Sequence, residues 1–248
     1  YQQQDLVSFY HTVFLPYREF QNQWFSTVDK WAGNPSADLA ASLKELIKQA
    51  NAKYTAIQGA YVSPASPLLT SAQTDFLRSL KLLSESFSSL AKDAEKLTPD
   101  QLTSELENDA FFRDGQAYAL SAQNSYFSAM LKWGATVSTE IPGDFKIQGD
   151  MELSQWQTLP IMVKNKIAAD YLSANSMFTS FLPHDLTARI DDFIRSGQAE
   201  RMQQKTVLSV ADLLTGTNAV RNGDFLRAKA KLYPNELLPL LPFFTPEN

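Results

Sequence analysis

The amino-acid sequence predicts an all-α protein, an antiparallel bundle of long helices extended by shorter C-terminal helices. Apolar residues recur at spacings of three and four through most of the chain, which places them on one face of a helix. The longest segment without this pattern, residues 134–150, is short and contains Pro142, Gly143 and Gly149. This segment could form a short strand or hairpin, but an ordered loop is favoured, so the strand content should be near zero.

The first helix should run from about Leu6 to Trp31, because its aromatic and aliphatic residues keep the helical spacing throughout. Pro16 lies inside this run and should kink or split the helix, since proline removes a backbone hydrogen bond. Gly33 and Pro35 should end it. These aromatic side chains are too many to fit along one narrow apolar face. The helix is therefore either buried on most sides or lines a pocket or a partner surface.

The next two helices should complete the core of the N-terminal half. The second should open at Ser36 as N-cap and end near Tyr61. The third, after the turn at residues 63–67, has the spacing of bundle packing, in which apolar residues alternate at four and three. These residues are Phe76, Leu80, Leu83, Phe87, Leu90, Ala94 and Leu97.

The fourth helix has the strongest start signal. Thr98 is a good N-cap, Pro99 suits the first helical position, and Gln101 completes a capping box. We expect this helix to run as far as Trp133, with Gly115 as a weak point in its middle.

The sequence divides into an N-terminal four-helix segment at residues 1–135, a linker or ordered loop at 136–150, and a C-terminal helical segment at 151–248. The two helical segments should pack as one globular unit. Short helices are predicted at residues 152–158, 161–181, 185–196, 203–214 and 225–233. The proline-rich tail either straps the bundle or forms an exposed recognition segment, and the lack of a basic-flanked Pro-x-x-Pro pattern favours the strap.

An internal repeat links the two halves. Residues 21–31 return at 123–133, an offset of 102 residues, with six of the eleven positions identical. At the same offset, Ser71 and Phe76 match Ser173 and Phe178. The pattern predicts two duplicated three-helix units, at residues 7–97 and 109–199, that superpose; the alternative is coincidence between amphipathic helices.

Composition narrows the classes of function. The net charge is −5, and no basic face is evident, which argues against nucleic-acid binding. The chain has no cysteine and no long apolar run, so disulfides, thiolate metal sites and transmembrane helices are not predicted. It begins at Tyr1 rather than methionine, as a removed signal peptide or a shortened chain would explain. We therefore expect an extracytoplasmic protein, whether secreted, periplasmic or at the cell surface.

Catalytic and metal-binding patterns are lacking. The two imidazoles, His11 and His184, belong to no Glu-x-x-His or His-Glu-x-x-His motif, and no Gly-x-Ser-x-Gly elbow or phosphate loop occurs. The carboxylates of Asp185, Asp191 and Asp192 could hold a cation, but we expect them to be solvated, with Asp185 as a helix cap paired to Arg189. We predict no catalytic residue, no metal and no cofactor.

Six residues are candidate ligand or partner contacts. Arg113 and Asn124 interrupt an apolar seam, either to face a ligand, or because Arg113 reaches solvent and Asn124 fixes the register. The repeated aromatic positions supply the other four, which are Trp24, Trp31, Tyr126 and Trp133. Their alternative role is to anchor the core.

The sequence thus predicts a non-catalytic, extracytoplasmic helical-bundle protein that acts as a binding or structural interaction module. The alternative is a carrier of a small apolar or aromatic ligand between helices. A protein partner or self-association is the more expected mode. A membrane-active toxin would need an apolar hairpin or a basic amphipathic helix, and the sequence has neither.

Overall fold

The computed structural model describes residues 1–246 and confirms the all-α class. Within these residues, the only β pairing is an isolated antiparallel bridge between Glu152 and Thr206. No helix in the same range is long and apolar enough to cross a membrane. The contacts divide the chain into two compact units, which we call the N-unit (Ser8–Ser125) and the C-unit (Tyr1–Val7 with the chain from Tyr126 onward).

The first helical stretch consists of α1 (Gln3–Phe9), a π-helical turn (Tyr10–Phe14) and α2 (Leu15–Trp31). The predicted disturbance at Pro16 takes the form of this π turn, after which the helix continues. Proline lacks an N–H, so a local change in the hydrogen-bond register just before it removes the conflict without ending the helix.

The N-unit is built around α3 (Leu39–Gln58), which packs against both α2 and α4 (Pro67–Ala91). The predicted heptad residues Phe76, Leu80, Leu83 and Phe87 are buried, and α2 contributes Phe20. The start predicted at Ser36 is wrong, because α3 begins later with Asp38 as its N-cap. The Asp38 side chain accepts a hydrogen bond from Ala41 N at 2.9 Å, and a carboxylate is a strong N-cap acceptor.

A 3-10 turn (Ala94–Lys96) leads to α5 (Pro99–Asn108) and α6 (Ala110–Val137). The Thr98–Gln101 capping box is confirmed. The single helix predicted from Thr98 to Trp133 is wrong, because Asp109 adopts an extended conformation and its side chain accepts from Phe112 N at 3.1 Å. Asp109 therefore starts a new helix, in which Gly115 is an internal residue.

A hydrogen-bonded chain joins three helices of the N-unit. Ser79 Oγ of α4 donates to the backbone oxygen of Gly115 in α6 at 2.6 Å. Since that donation uses the only hydroxyl proton of Ser79, Tyr17 of α2 must donate its own to Ser79 Oγ, at 2.7 Å. All the polar groups of this chain are thereby satisfied inside the core.

The C-unit contains α7 (Leu153–Gln157), α8 (Ile161–Ala174), α9 (Pro183–Arg195), α10 (Gln198–Arg201), α11 (Val207–Gly216) and α12 (Asp224–Leu232). α9 is central and packs against α8, α10, α11 and α12. The predicted extension of α8 to residue 181 is wrong, since the helix ends at Ala174 and Ser176 follows with φ at 52°. A left-handed residue cannot continue a right-handed helix.

The C-terminal tail forms the predicted strap. Leu241 and Phe244 are fully buried, and the Gln3 side chain exchanges two hydrogen bonds with the backbone of Leu240. Leu240 itself remains 71% exposed. The predicted tail also includes Glu247 and Asn248, which lie outside the described residues.

The predicted duplication is not confirmed. At an offset of 102 residues, α3 would correspond to residues 141–160, yet that stretch holds only loop and the one short helix α7. The shared residues 21–31 and 123–133 do lie in two long helices. Two amphipathic helices that use aromatic anchors at heptad-like spacing can match without common descent.

Candidate functional site

The predicted candidate residues of the N-unit fall into two groups. Trp24 and Trp31 are buried, with ring centroids 6.0 Å apart, and the Trp24 ring also contacts Phe87 and Phe112. Arg113 is exposed and Asn124 is half-buried. The structure therefore brings the two tryptophans together in a packed cluster and leaves Arg113 on the surface.

The two candidates of the C-unit are also buried. The Tyr126 hydroxyl donates to the backbone oxygen of Leu6 at 2.8 Å, and its ring lies 6.3 Å from that of Phe243. Trp133 is 9% exposed. A role of any of these six residues in ligand or partner contact stays a prediction.

A different set of residues forms the most distinctive polar site of the C-unit. Every side chain of α8 from Ile161 to Ala169 is buried, and this stretch includes Lys164. Its ammonium group lies 3.0 and 3.2 Å from the two carboxylate oxygens of Asp191, on α9. Each of these two side chains is less than one-tenth exposed, so the ion pair is removed from bulk water.

Two further side chains complete the coordination of the Asp191 carboxylate. Trp156, on α7, donates its Nε1–H to Oδ1 at 2.7 Å, and the Tyr233 hydroxyl, just after α12, donates to Oδ2. The Lys164 ammonium also lies 5.4 Å from the Trp156 ring centroid, within the range of a cation–π contact. Four elements thus meet at one carboxylate, whose acceptor sites are all used.

This cluster forms one wall of a cavity of about 330 Å³. The polar lining consists of Gln157, Lys164, Asp191, Arg195, Tyr233 and Glu236, and the apolar lining consists of Ile194 and Leu232. We call this space the Lys164 cavity. Its volume lies at the lower end of the range for small-molecule sites.

The charges around the cavity act on Tyr233. Burial raises the pKa of the Tyr233 hydroxyl above its ordinary value, and the Asp191 carboxylate raises it further. The charge of Glu236 also raises this pKa, and that of Arg195 lowers it. The hydroxyl is therefore a protonated donor at neutral pH, and the charges of both Glu236 and Arg195 reach it.

The arrangement supplies hydrogen-bond donors and charges to the cavity. The Asp191 oxygens are fully engaged, and because the pKa of Tyr233 is raised, its hydroxyl stays protonated at neutral pH. Among residues 1–246, no group of three or more His, Cys, Asp or Glu side chains is placed to hold a metal ion. Of the groups that line the cavity, Lys164, Asp191 and Tyr233 are buried and held by hydrogen bonds, whereas Arg195 and Glu236 are exposed.

No family model, curated protein or solved structure matches this chain.

The sequence contains one weak signal for this site. Lys164, Asn165 and Lys166 form a polar run within a stretch, Ile161 to Ala169, that is otherwise apolar, and such a run is unusual for a solvated face. The prediction that Asp191 is solvated is wrong, because Asp191 is 6% exposed. Its burial depends on α7, α8 and the residue after α12, which are distant in sequence.

The neighbouring carboxylates have other roles. Asp185 does cap α9, as predicted, by accepting from Leu182 N at 3.0 Å, and it also accepts from Phe225 N at the start of α12. The prediction that Asp185 is solvated is wrong, because this residue is 1% exposed. Asp192 is half-exposed and pairs with Arg189 at 3.1 Å. These two side chains therefore serve the packing of α9 rather than the Lys164 cavity.

Proposed function

We propose that this protein is a non-catalytic binding module and that its ligand site is the Lys164 cavity. The single observation that carries the proposal is the buried ion pair of Lys164 and Asp191 in the cavity wall. An apolar pair of similar volume would often be at least as stable as a buried ion pair, so stability alone does not account for these charges. The cavity is concave, and several polar and charged side chains converge on it, as polar groups do in sites that orient a small ligand.

Ligand-dependent thermal stabilisation tests the proposal. We expect at least one member of a chemically diverse set of small polar metabolites to raise the unfolding temperature, because binding to the folded state alone stabilises it. The control is Ile194→Phe, which adds bulk to the apolar lining and leaves the ion pair unchanged. A stabilising compound should lose its effect in this variant. A set without any active compound, or an effect that persists in the variant, would overturn the proposal.

Two other modes of binding are self-association or a protein partner, and transport of an apolar ligand. Self-association, or a protein partner, is favoured by the exposed leucines of the tail, Leu237 and Leu240. Light scattering across a concentration series tests it, and Leu240→Asp should lower any measured association. A carrier of apolar ligands has less support, because Trp24, Trp31, Tyr126 and Trp133 are each at least nine-tenths buried.

We further propose that the protein acts outside the cytoplasm. A chain of 248 residues without cysteine is compatible with an oxidising compartment, and uncharged polar residues are abundant. Fractionation of the native cells, followed by immunodetection in the cytoplasmic, envelope and external fractions, tests this location. Recovery mainly with the cytoplasm would contradict it.

A further inference from the structure

We propose that the Lys164 cavity takes a small zwitterion of the α-amino-acid class, with an aliphatic side chain. This inference rests on the proposed function and specifies its ligand. The carboxylate would meet Arg195 and Lys164, the ammonium would meet Glu236, and the side chain would contact Ile194 and Leu232.

The first argument is the unused hydrogen-bonding capacity of the cavity wall. An ammonium group has three N–H donors. Among residues 1–246, the hydrogen bonds of Lys164 both go to Asp191, which leaves at least one N–H for a ligand. Asp191 has no acceptor site left, so the hydrogen-bonding group of this ion pair that remains available to a ligand is the Lys164 N–H donor. A donor on a charged group favours an anionic ligand atom.

The second argument is the unpaired opposite charges at the cavity mouth. Arg195 and Glu236 line the same cavity and are both exposed, yet no ion pair joins them within the described residues. Arg195 makes a long hydrogen bond of 3.5 Å to the Lys231 backbone, and one oxygen of Glu236 accepts from Ile161 N at 3.4 Å. Both side chains therefore keep most of their hydrogen-bonding capacity.

The third argument is charge balance. The cavity lining carries two cations, Lys164 and Arg195, and two anions, Asp191 and Glu236. All acceptor sites of Asp191 are used by its own partners. The groups that remain available to a ligand are therefore the Arg195 cation, the Glu236 anion and the remaining N–H donor of Lys164. A ligand with one negative and one positive group complements this set, whereas a simple anion or cation would leave one charge unmatched.

The fourth argument concerns the body of the ligand. Ile194 and Leu232 are the apolar side chains of the lining, and the cavity volume of about 330 Å³ leaves room for a compact aliphatic group. Hence L-leucine is the first probe. Hydrogen bonds to charged groups are stronger than those between neutral groups, so removing either charged group from the ligand should weaken binding by about 10-fold or more.

Calorimetric titration of the full chain tests the inference with four probes: L-leucine, L-leucinamide, isocaproate and isoamylamine. We expect L-leucine to bind. L-leucinamide and isoamylamine lack the carboxylate, and isocaproate lacks the ammonium group, so each of these three should bind about 10-fold more weakly or not at all. Arg195→Gln should weaken L-leucine and isocaproate but not isoamylamine. Glu236→Gln should weaken L-leucine and isoamylamine but not isocaproate.

Matched controls are Arg201→Gln and Glu200→Gln, which remove the same charge types from the exposed helix α10, outside the cavity lining. Neither should alter the titrations. Equal affinity for L-leucine and L-leucinamide, or affinity unchanged in both cavity variants, would overturn the zwitterion assignment. If a different class of compound binds and Ile194→Phe abolishes that binding, the inference fails while the proposed function stands. If no compound of any class binds, the proposed function itself fails.

Discussion

Lys164 illustrates, at the scale of a single residue, how a buried charge depends on its partner. Lys164→Met would leave the Asp191 carboxylate buried with its neutral donors only. Removing one partner of a buried ion pair costs about 3–5 kcal/mol. We expect a loss of that size in the free energy of unfolding, measured by urea denaturation at neutral pH.

Two further variants decide whether the loss comes from the stranded charge. Adding Asp191→Asn to Lys164→Met removes that charge but keeps an acceptor for Trp156 and a partner for Tyr233, so at least half of the loss should be regained. Lys53→Met removes a cation from the pair with the half-exposed Glu19, and should change stability by less than about 1 kcal/mol. Equal losses in the Lys164 and Lys53 variants would contradict this account.

Individual site residues were harder to predict from the sequence than the helices were. It identified Trp24, Trp31 and Tyr126 from their recurrence, and they are indeed core residues. It did not find the Lys164 cavity, because no local motif joins a lysine, an aspartate, a tryptophan and a tyrosine that come from four separate elements. Only the packing of α7, α8, α9 and α12 brings them together.

At the scale of the helix, Gly115 shows a conflict between propensity and packing. Alanine in place of glycine inside a helix is favoured by about 1 kcal/mol. However, a Cβ at position 115 would lie 2.8 Å from Leu83 Cγ and 3.3 Å from Leu83 N, which is backbone and cannot rotate away. Overpacking of this kind costs about 1–3 kcal/mol, so we expect Gly115→Ala to destabilise the protein.

Gly216, at the exposed end of α11, provides the matched control. No atom lies within 4 Å of a Cβ built there, so Gly216→Ala should be neutral or stabilising by up to about 1 kcal/mol. Chemical denaturation of both variants measures the difference. Truncation by Leu83→Ala should cost less in the Gly115→Ala background than in the unchanged chain, since the two sites share one space. A stabilised Gly115→Ala variant would show that α4 and α6 are not tightly packed.

Local sequence patterns predicted most of the helices but not how closely two of them pack, as Gly115 shows. Periodicity predicted the helices and their buried faces, and the capping box predicted the start of α5. Gly115 was expected to weaken a helix, but it is the position where α6 approaches α4 closely. Element ends were less predictable, because Asp109 and Asp38 compete as caps with neighbouring residues, and the outcome depends on tertiary packing.

At the scale of the whole molecule, two buried tyrosines, one in each unit, make stability depend on alkaline pH. Burial raises the pKa of both Tyr17 and Tyr233 above the ordinary value of 10.0. Below pH 10 both hydroxyls are neutral in the folded and the unfolded chain, so their contribution is fully present. Above it the unfolded chain loses protons that the folded chain retains, and stability falls by about 1.4 kcal/mol per pH unit for each tyrosine.

Urea denaturation at a series of pH values above about 9 measures this slope, which linkage relates to proton loss. Tyr17→Phe should lose about 1 kcal/mol at neutral pH through one missing neutral hydrogen bond, and Tyr233→Phe about 1.5–3 kcal/mol because its hydroxyl donates to the charged Asp191. Each variant should nevertheless flatten the alkaline slope by about 1.4 kcal/mol per pH unit. Because lysine and arginine titration is common to all the variants, differences between them isolate the tyrosines. The double variant should flatten the slope by the sum, since Tyr17 and Tyr233 belong to different units and share no partner. An alkaline slope that stays the same in both single variants would mean that these hydroxyls already ionise in the folded protein.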